Sequence, residues 1–321
     1  MLDRTFPRTA WQIAEIGYGM WGMGGWTGSD DAESLASLDR AVGLGCTFFD
    51  TAWVYGNGRS ETLLGETLRR HRDQRLYVAT KVPPKNLRWP AKAEYRLDDA
   101  FPPDHVREYT ENSLRNLGVD AIDLQQLHVW TDAWADDERW QRTAEDLKRE
   151  GKIRAFGISL NRWEPWNGIR AVRTGAIDCV QVVYNIFDQA PEDELFPACQ
   201  ALDVGVIARV PFDEGSLTGT LTRRSRWPKE DWRSLYFTPE NLEATLRRIE
   251  RLQPLVPAGM DLPGLALRFI LRHPAVTTTI PGMRKPGHVE RNLAASGDTP
   301  LPDALYEALR EHRWDRTTVI P

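Results

Sequence analysis

The sequence predicts an α/β chain folded as a (β/α)8 TIM barrel, with an N-terminal hairpin and extended loops on the C-terminal face. Three observations carry this. Short β-branched or aromatic runs alternate with stretches of helical period. The alternation repeats about eight times, the number of parallel strands that closes such a barrel. The long insertions all follow strands, which places them at the carboxyl face of the barrel.

The hairpin is expected over residues 2–14, across the barrel bottom. The eight barrel strands are expected at 16–19, 47–51, 76–81, 121–128, 153–159, 179–185, 205–210 and 277–281. Helices are expected at 31–44, 60–70, 104–117, 137–150, 163–173, 192–202, 262–273 and 288–294. Asp30 with Glu33 forms a capping box, and Pro191 precedes the acidic Glu192 and Asp193. Gly45, Gly118, Gly151 and Gly175 mark helix ends. The insertions are 83–103, 130–137 and 212–239, and a last helix is expected near 301–313. No linker composition interrupts the chain, so one domain is expected over 1–321.

Composition narrows the function. The chain has 321 residues, net charge -5, 41% hydrophobic and 27% charged residues, an ordinary globular balance. The acidic balance gives no footprint for nucleic acid. No apolar run suggests a membrane span or a signal peptide. Cys46, Cys179 and Cys199 are three and widely spaced, which suits reduced, buried thiols rather than a disulfide framework. A cytoplasmic setting and no metal are therefore expected. Oligomeric state is not encoded in any feature of the chain.

Gly17-Tyr18-Gly19-Met20-Trp21-Gly22 matches G-x-G-x-x-G, with Asp39 about 20 residues on. A dinucleotide fingerprint needs a helix opening within the glycine turn. Here the helical period begins only near Asp30, so the run reads as a glycine-rich loop at the barrel mouth.

Four ionisable residues sit at or just beyond successive strand ends: Asp50 in FFDTA, Tyr55 in TAWVYGNG, Lys81 in LYVATK and His128 in IDLQQLH. Barrel chemistry is built from such positions. A tyrosine, with an ordinary pKa of about 10, must be tuned to act as an acid or base near neutrality. A lysine ammonium ~4 Å away at an effective dielectric of ~20 is worth about 4 kcal/mol. Lys81 is therefore expected to lower the Tyr55 pKa. Asp50 would keep Lys81 charged, and His128 would orient a carbonyl. A proton donor beside a carbonyl suits carbonyl reduction, with the hydride coming from a cofactor. Another reading stays open, a Schiff-base lyase or aldolase using Lys81.

FFDTAWVYGNGRSE, VATK, IDLQQLH, AFGIS, QVVYNI and TIPGMRKPGHVERN resemble the aldo-keto reductase family in order and spacing, from about residue 4 to 295. The resemblance implies an NADP(H)-dependent oxidoreductase acting on a small carbonyl or alcohol, with Tyr55 as general acid. It implies NADPH (NADP+) extended across the C-terminal face. It also implies a further alternative, a non-catalytic NADPH-binding module. Ser159, Asn161 and Gln181 match positions that hold the nicotinamide carboxamide, although Leu160 splits the usual Ser-Asn pair. Arg209 stands where many members stack an aromatic on the nicotinamide, and a planar guanidinium can also stack. Pro211, Phe212, Gly215, Leu217 and Gly219 match the loop over the pyrophosphate. Gly282, Met283 and Arg284 match the stretch facing the adenosine phosphate, and His288 and Asn292 match adenosine-side positions. His288 and Arg291 depart from the commoner residues there.

Thirteen tryptophans are many for this length. Trp21, Trp53, Trp89 and Trp130 fall in the loops after the first four strands and are expected to wall a substrate pocket. Trp232 and Tyr236, in the loop after the seventh strand, are candidates for a lid, a question the sequence leaves open.

Overall fold

In the computed structural model, residues 1–25, 28–229, 231–297 and 299–316 are described. β1 (Asp3–Phe6) and β2 (Trp11–Ala14) form the expected antiparallel hairpin. The eight barrel strands are β3 (Tyr18–Gly19), β4 (Phe48–Asp50), β5 (Tyr77–Val82), β6 (Ile122–Leu127), β7 (Ile153–Ser159), β8 (Cys179–Val183), β9 (Gly205–Arg209) and β10 (Thr278–Thr279). They pair in chain order and in parallel. Parallel bridges from Ile16 to Thr279 and from Gly19 to Gly282 join the first strand to the last, so the sheet closes. Gly19 is required at that seam, because a Cβ would collide with the Ile280 carbonyl oxygen.

Strand side chains alternate in and out with period two. Phe48, Ala79, Leu124, Ala155, Cys179, Ile207 and Ile280 meet inside the barrel, and Phe6 and Ile13 of the hairpin close this layer from below. Two positions further along β4, β5, β6, β8 and β9 stand Asp50, Lys81, Gln126, Gln181 and Arg209. The mouth thus carries a polar layer directly above an apolar one. The opposite faces of the strands pack against the helices in the main core.

Each expected helix has a counterpart, with two changed and a further long one added. Asp30 caps Asp31–Gly43 by accepting from the Glu33 amide at 2.8 Å. The helix expected at 163–173 is cut to Ile169–Thr174, since Trp163 has a positive φ of 61° and Pro165 follows. The stretch expected at 192–202 splits into a 3-10 turn, Ala190–Glu192, and Leu195–Ala201. Pro239–Leu252 is a helix of 14 residues outside the expected set. Its signals are in the sequence: Thr238 caps, Pro239 opens, and Leu242, Thr245 and Leu246 recur on the buried face. Among the described residues, no helix is long and apolar enough to cross a membrane. Cys46, Cys179 and Cys199 are free and buried, as expected.

Candidate active site

Asp50 ends β4, Lys81 is the penultimate residue of β5, and His128 directly follows β6. Tyr55 lies in the tight turn between β4 and the helix Arg59–Arg70, where Gly56 and Gly58 take positive φ. Lys81 Nζ donates to Asp50 Oδ1 at 2.5 Å and to the Thr51 carbonyl at 2.7 Å, and the pair is buried. Gln181 Nε2 and Gln126 Nε2 donate to Asp50 Oδ2 at 2.7 and 3.4 Å. The buried carboxylate is therefore saturated, which a buried ion pair requires. Lys81 Nζ stands 5.5 Å from the centre of the Tyr55 ring. The His128 ring sits edge-on between Tyr55 at 5.7 Å and Trp89 at 6.0 Å. Its Nδ1 is buried and has no protein partner.

The electrostatics correct one expectation. Burial, and then Asp50, push the Tyr55 pKa well up, while Arg209 opposes them. Lys81 was expected to pull it down, but its ammonium is hydrogen-bonded to Asp50, whose carboxylate acts on the tyrosine in the opposite sense. Burial lowers the Lys81 pKa and Asp50 works against that. Burial, then the cations Lys81 and Arg209, hold the His128 pKa well below 6.5, so the ring is neutral.

Ser159 lies beside Gln181 in the β7–β8 register. Asn161 is bonded to the long loop after β5. Its Oδ1 accepts from the Ala91 amide at 3.1 Å and its Nδ2 donates to the Ala91 carbonyl at 2.8 Å. It pins the long loop after β5 through both atoms of its amide. Arg209 Nη2 donates to the Leu160 carbonyl at 2.9 Å. Pro211, Phe212, Gly215, Leu217 and Gly219 lie in or beside the 3-10 segment Asp213–Thr218 that follows β9. Leu217 turns its side chain into the core. Gly282, Met283 and Arg284 follow β10. The Met283 side chain is core, and its carbonyl accepts from the Tyr18 hydroxyl at 2.7 Å. Arg284 crosses the glycine-rich loop, with its Cδ against Gly22 and its Nη2 near Gly28. His288 is exposed and Asn292 buried on the helix Pro286–Leu293. Arg291 pairs with Asp261 at 3.5 Å.

Trp21 and Trp89 are 45% and 43% exposed at the mouth, and Trp53 packs edge-on against Tyr109 at 4.7 Å. Trp130 is corrected from pocket wall to core. It is fully buried, edge-on to Trp134 at 5.8 Å and Trp140 at 5.2 Å, with its Nε1 donating to Asp132. The structure places the candidate lid residue Tyr236 inside the fold. Tyr236 is fully buried and its hydroxyl donates to Asp213 Oδ1 at 2.5 Å, so it anchors rather than covers. Asp39 pairs with Arg70 and His71 on helix surfaces, far from a nucleotide role.

Sequence reasoning passed over Gln126 and a set of ion pairs. Arg316 Nη1 reaches Asp213 Oδ1 at 2.7 Å and its Nη2 reaches Asp188 at 3.3 Å, both buried. Arg162 pairs with Glu214 in the same segment after β9. A second glutamine at the end of β6 could have been read from the inward period. The ion pairs had no such signal.

Comparison with known proteins bears on the family and the fold. Residues 15–313 match the sequence model of the Aldo/keto reductase family. The NADH-specific methylglyoxal reductase of Escherichia coli is 30% identical over 93% of this chain and 94% of its own. The glycerol dehydrogenase structure from Gluconobacter oxydans superposes with a TM-score of 0.81 at 28% identity, covering 97% of this chain and 94% of that one. An aldo/keto reductase from Klebsiella pneumoniae, solved with NADP and acetate, gives a TM-score of 0.72 at 25% identity, covering 100% and 99%.

Proposed function

The chain belongs to the aldo/keto reductase family, and from that premise we propose that it is an NADP(H)-dependent oxidoreductase interconverting a carbonyl compound and an alcohol, with Tyr55 as general acid and base. The observation that carries the reading is the meeting of Tyr55, His128 and the Asp50–Lys81 pair at one mouth of the barrel. When bound, the cofactor supplies the hydride. The protein's share is the proton and its placement. Tyr55 keeps its proton at neutral pH and gives it to the carbonyl oxygen as negative charge grows there. Neutral His128 holds that oxygen by a hydrogen bond. Lys81, kept charged by Asp50, stabilises the tyrosinate left behind until solvent returns the proton. Alcohol oxidation runs the same proton path backwards.

The residues present fit such a cofactor. A Cβ on Gly215, Gly219 or Gly282 would meet nothing within 4 Å, so the rim is open at each. Arg209 Nε is buried without a partner. Arg284 stands ahead of the helix Pro286–Leu293, where a 2′-phosphate would meet both a guanidinium and helix amides. That supports NADP(H) over NAD(H), although the Escherichia coli relative is named as NADH-specific. Trp21, Trp53 and Trp89 offer flat walls for an aldehyde, ketone or sugar.

The test is NADPH consumption against a panel of aldehydes, ketones and sugars, with Tyr55→Phe as control. Turnover by the wild type and its loss in the variant are expected. Full activity in the variant would remove Tyr55 from the acid role. Cofactor binding without turnover on any carbonyl would make the protein a binding module.

A further inference from the structure

Arg209 is the last residue of β9 and stands two positions above Ile207 of the inner apolar layer, so it faces into the mouth. Its Nη2 bonds to the Leu160 carbonyl, and its Nε is buried with no partner. Among the described residues, no carboxylate lies within ion-pair distance of it, because the neighbouring acids are taken. Asp50 holds Lys81, Glu214 holds Arg162, and Asp213 holds Arg316. Asp50 is bonded to Lys81, His128 is neutral, and the guanidinium of Arg209 has no carboxylate bonded to it. Burial and then Arg162 lower its pKa to about 10, which still leaves it charged at neutral pH. The polar layer of the mouth therefore carries one half-buried guanidinium with no carboxylate bonded to it, on which Glu214 and Asp50 act only from a distance.

Resting on the reading of this mouth as an NADP(H) site, we infer that Arg209 makes the protein discriminate between the two redox states of the cofactor, holding the reduced form and rejecting the oxidised one. The two forms share their phosphates, sugars and adenine. They differ at the nicotinamide ring, which is neutral when reduced and positive when oxidised. A ligand's preference can come only from a group that meets this difference. A half-buried guanidinium repels the positive ring, because solvent screens it less there than at the open surface. An aromatic side chain at the same position would do the opposite, since its π-face attracts a cation. The guanidinium keeps the flat surface of an aromatic and reverses the sign of its electrostatics.

The consequence falls on both directions of the reaction. In reduction a hydride passes from the ring to the carbonyl carbon and the Tyr55 proton passes to the oxygen. The ring gains positive charge in that step, and Arg209 opposes the gain. Spent cofactor is then poorly held and leaves quickly, relieving a step that often limits turnover. In oxidation the bound positive ring is the stronger hydride acceptor for the same reason.

The test is equilibrium binding of NADPH and of NADP+ separately, followed by quenching of tryptophan fluorescence, for the wild type, Arg209→Gln and Arg209→Lys. The wild type is expected to bind NADPH at least tenfold more tightly than NADP+. Arg209→Gln should bring the two constants to within about threefold, mainly by tightening NADP+, and Arg209→Lys should keep the wild-type ratio. Equal constants in the wild type, or an unchanged ratio in Arg209→Gln, would overturn the inference. If Arg209→Gln binds neither form, Arg209→Lys decides, since loss of the ratio with the charge retained overturns the electrostatic account. If the wild type binds neither form, the cofactor reading fails instead. An unchanged ratio with a raised KM for 2-oxo acids alone would make Arg209 a substrate anchor, which also overturns the inference.

Discussion

The ammonium of Lys81 lies 2.5 Å from Asp50 Oδ1, directly above a barrel layer made only of apolar side chains and a thiol. Two charges so buried are tolerable only together. Asp50→Leu leaves Lys81 charged without a partner and should cost about 3–5 kcal/mol of stability. Replacing both, as Asp50→Leu with Lys81→Met, should recover much of that loss while leaving the protein inactive. Urea unfolding of the two singles and the double measures it, and additive losses would mean that the pair is not energetically coupled.

Tyr55 and His128 set the pH behaviour. Burial and Asp50 raise the Tyr55 pKa, so the acid stays protonated and carbonyl reduction should be flat from about pH 6 to 9. His128, held well below 6.5, should add no inflection near that value. The sign for stability follows from the same shift. Below pH 6.5 the unfolded chain takes up a proton on this ring before the folded chain does. The contribution of the neutral ring is thus present above that pH and lost as pH falls below it. A His128→Asn variant should flatten that part of a melting-temperature profile, and an unaltered profile would assign the acid limb to other groups.

Arg316 ties the C-terminal segment to the segment after β9. Its guanidinium also lies 4.4 Å from the centre of the Trp314 ring and 5.5 Å from that of Trp163. Arg316→Ala leaves Asp213 and Asp188 buried with no arginine and should cost about 3–5 kcal/mol. Because Asp213 belongs to the proposed cofactor loop, the Kd for NADPH should rise severalfold with kcat little changed. A stability loss without any change in Kd would separate the anchor from the cofactor.

Trp130 and Trp89 should behave oppositely. Trp130→Ala opens a hole in the core and should destabilise by about 3–5 kcal/mol. Trp89→Ala removes a half-exposed wall beside His128 and should alter KM across the carbonyl panel with little effect on thermal unfolding. A matched drop in stability for both would refute the division into core and wall.

Arg284→Ala should raise the KM for NADPH at least about tenfold, the loss of one charge-assisted contact to a phosphate. The KM for NADH should stay within about twofold. Equal effects on both would defeat the 2′-phosphate assignment.

The sequence by itself determined the barrel, because strand and helix periods are local and each of the eight alternations is written in a short window. It also determined the places of Asp50, Lys81 and His128, since a strand end in a parallel barrel is a mouth position whatever surrounds it. Pro239–Leu252 was equally local, with cap and period both visible. What only the tertiary structure decided is which groups share a charge or a void. Trp130 and Trp89 follow neighbouring strands in similar loops, yet one meets Trp134 and Trp140 while the other meets His128. Asn161 is claimed by Ala91, 70 positions away, and Asp213 by Arg316, 103 positions away. The Tyr55 pKa turned on this as well. Asp50, bonded to Lys81, raises it, and Arg209 from the far side of the barrel lowers it. Periodicity is a property of a few successive residues, whereas Coulomb energy and packing depend on distances that exist only after the sheet has closed.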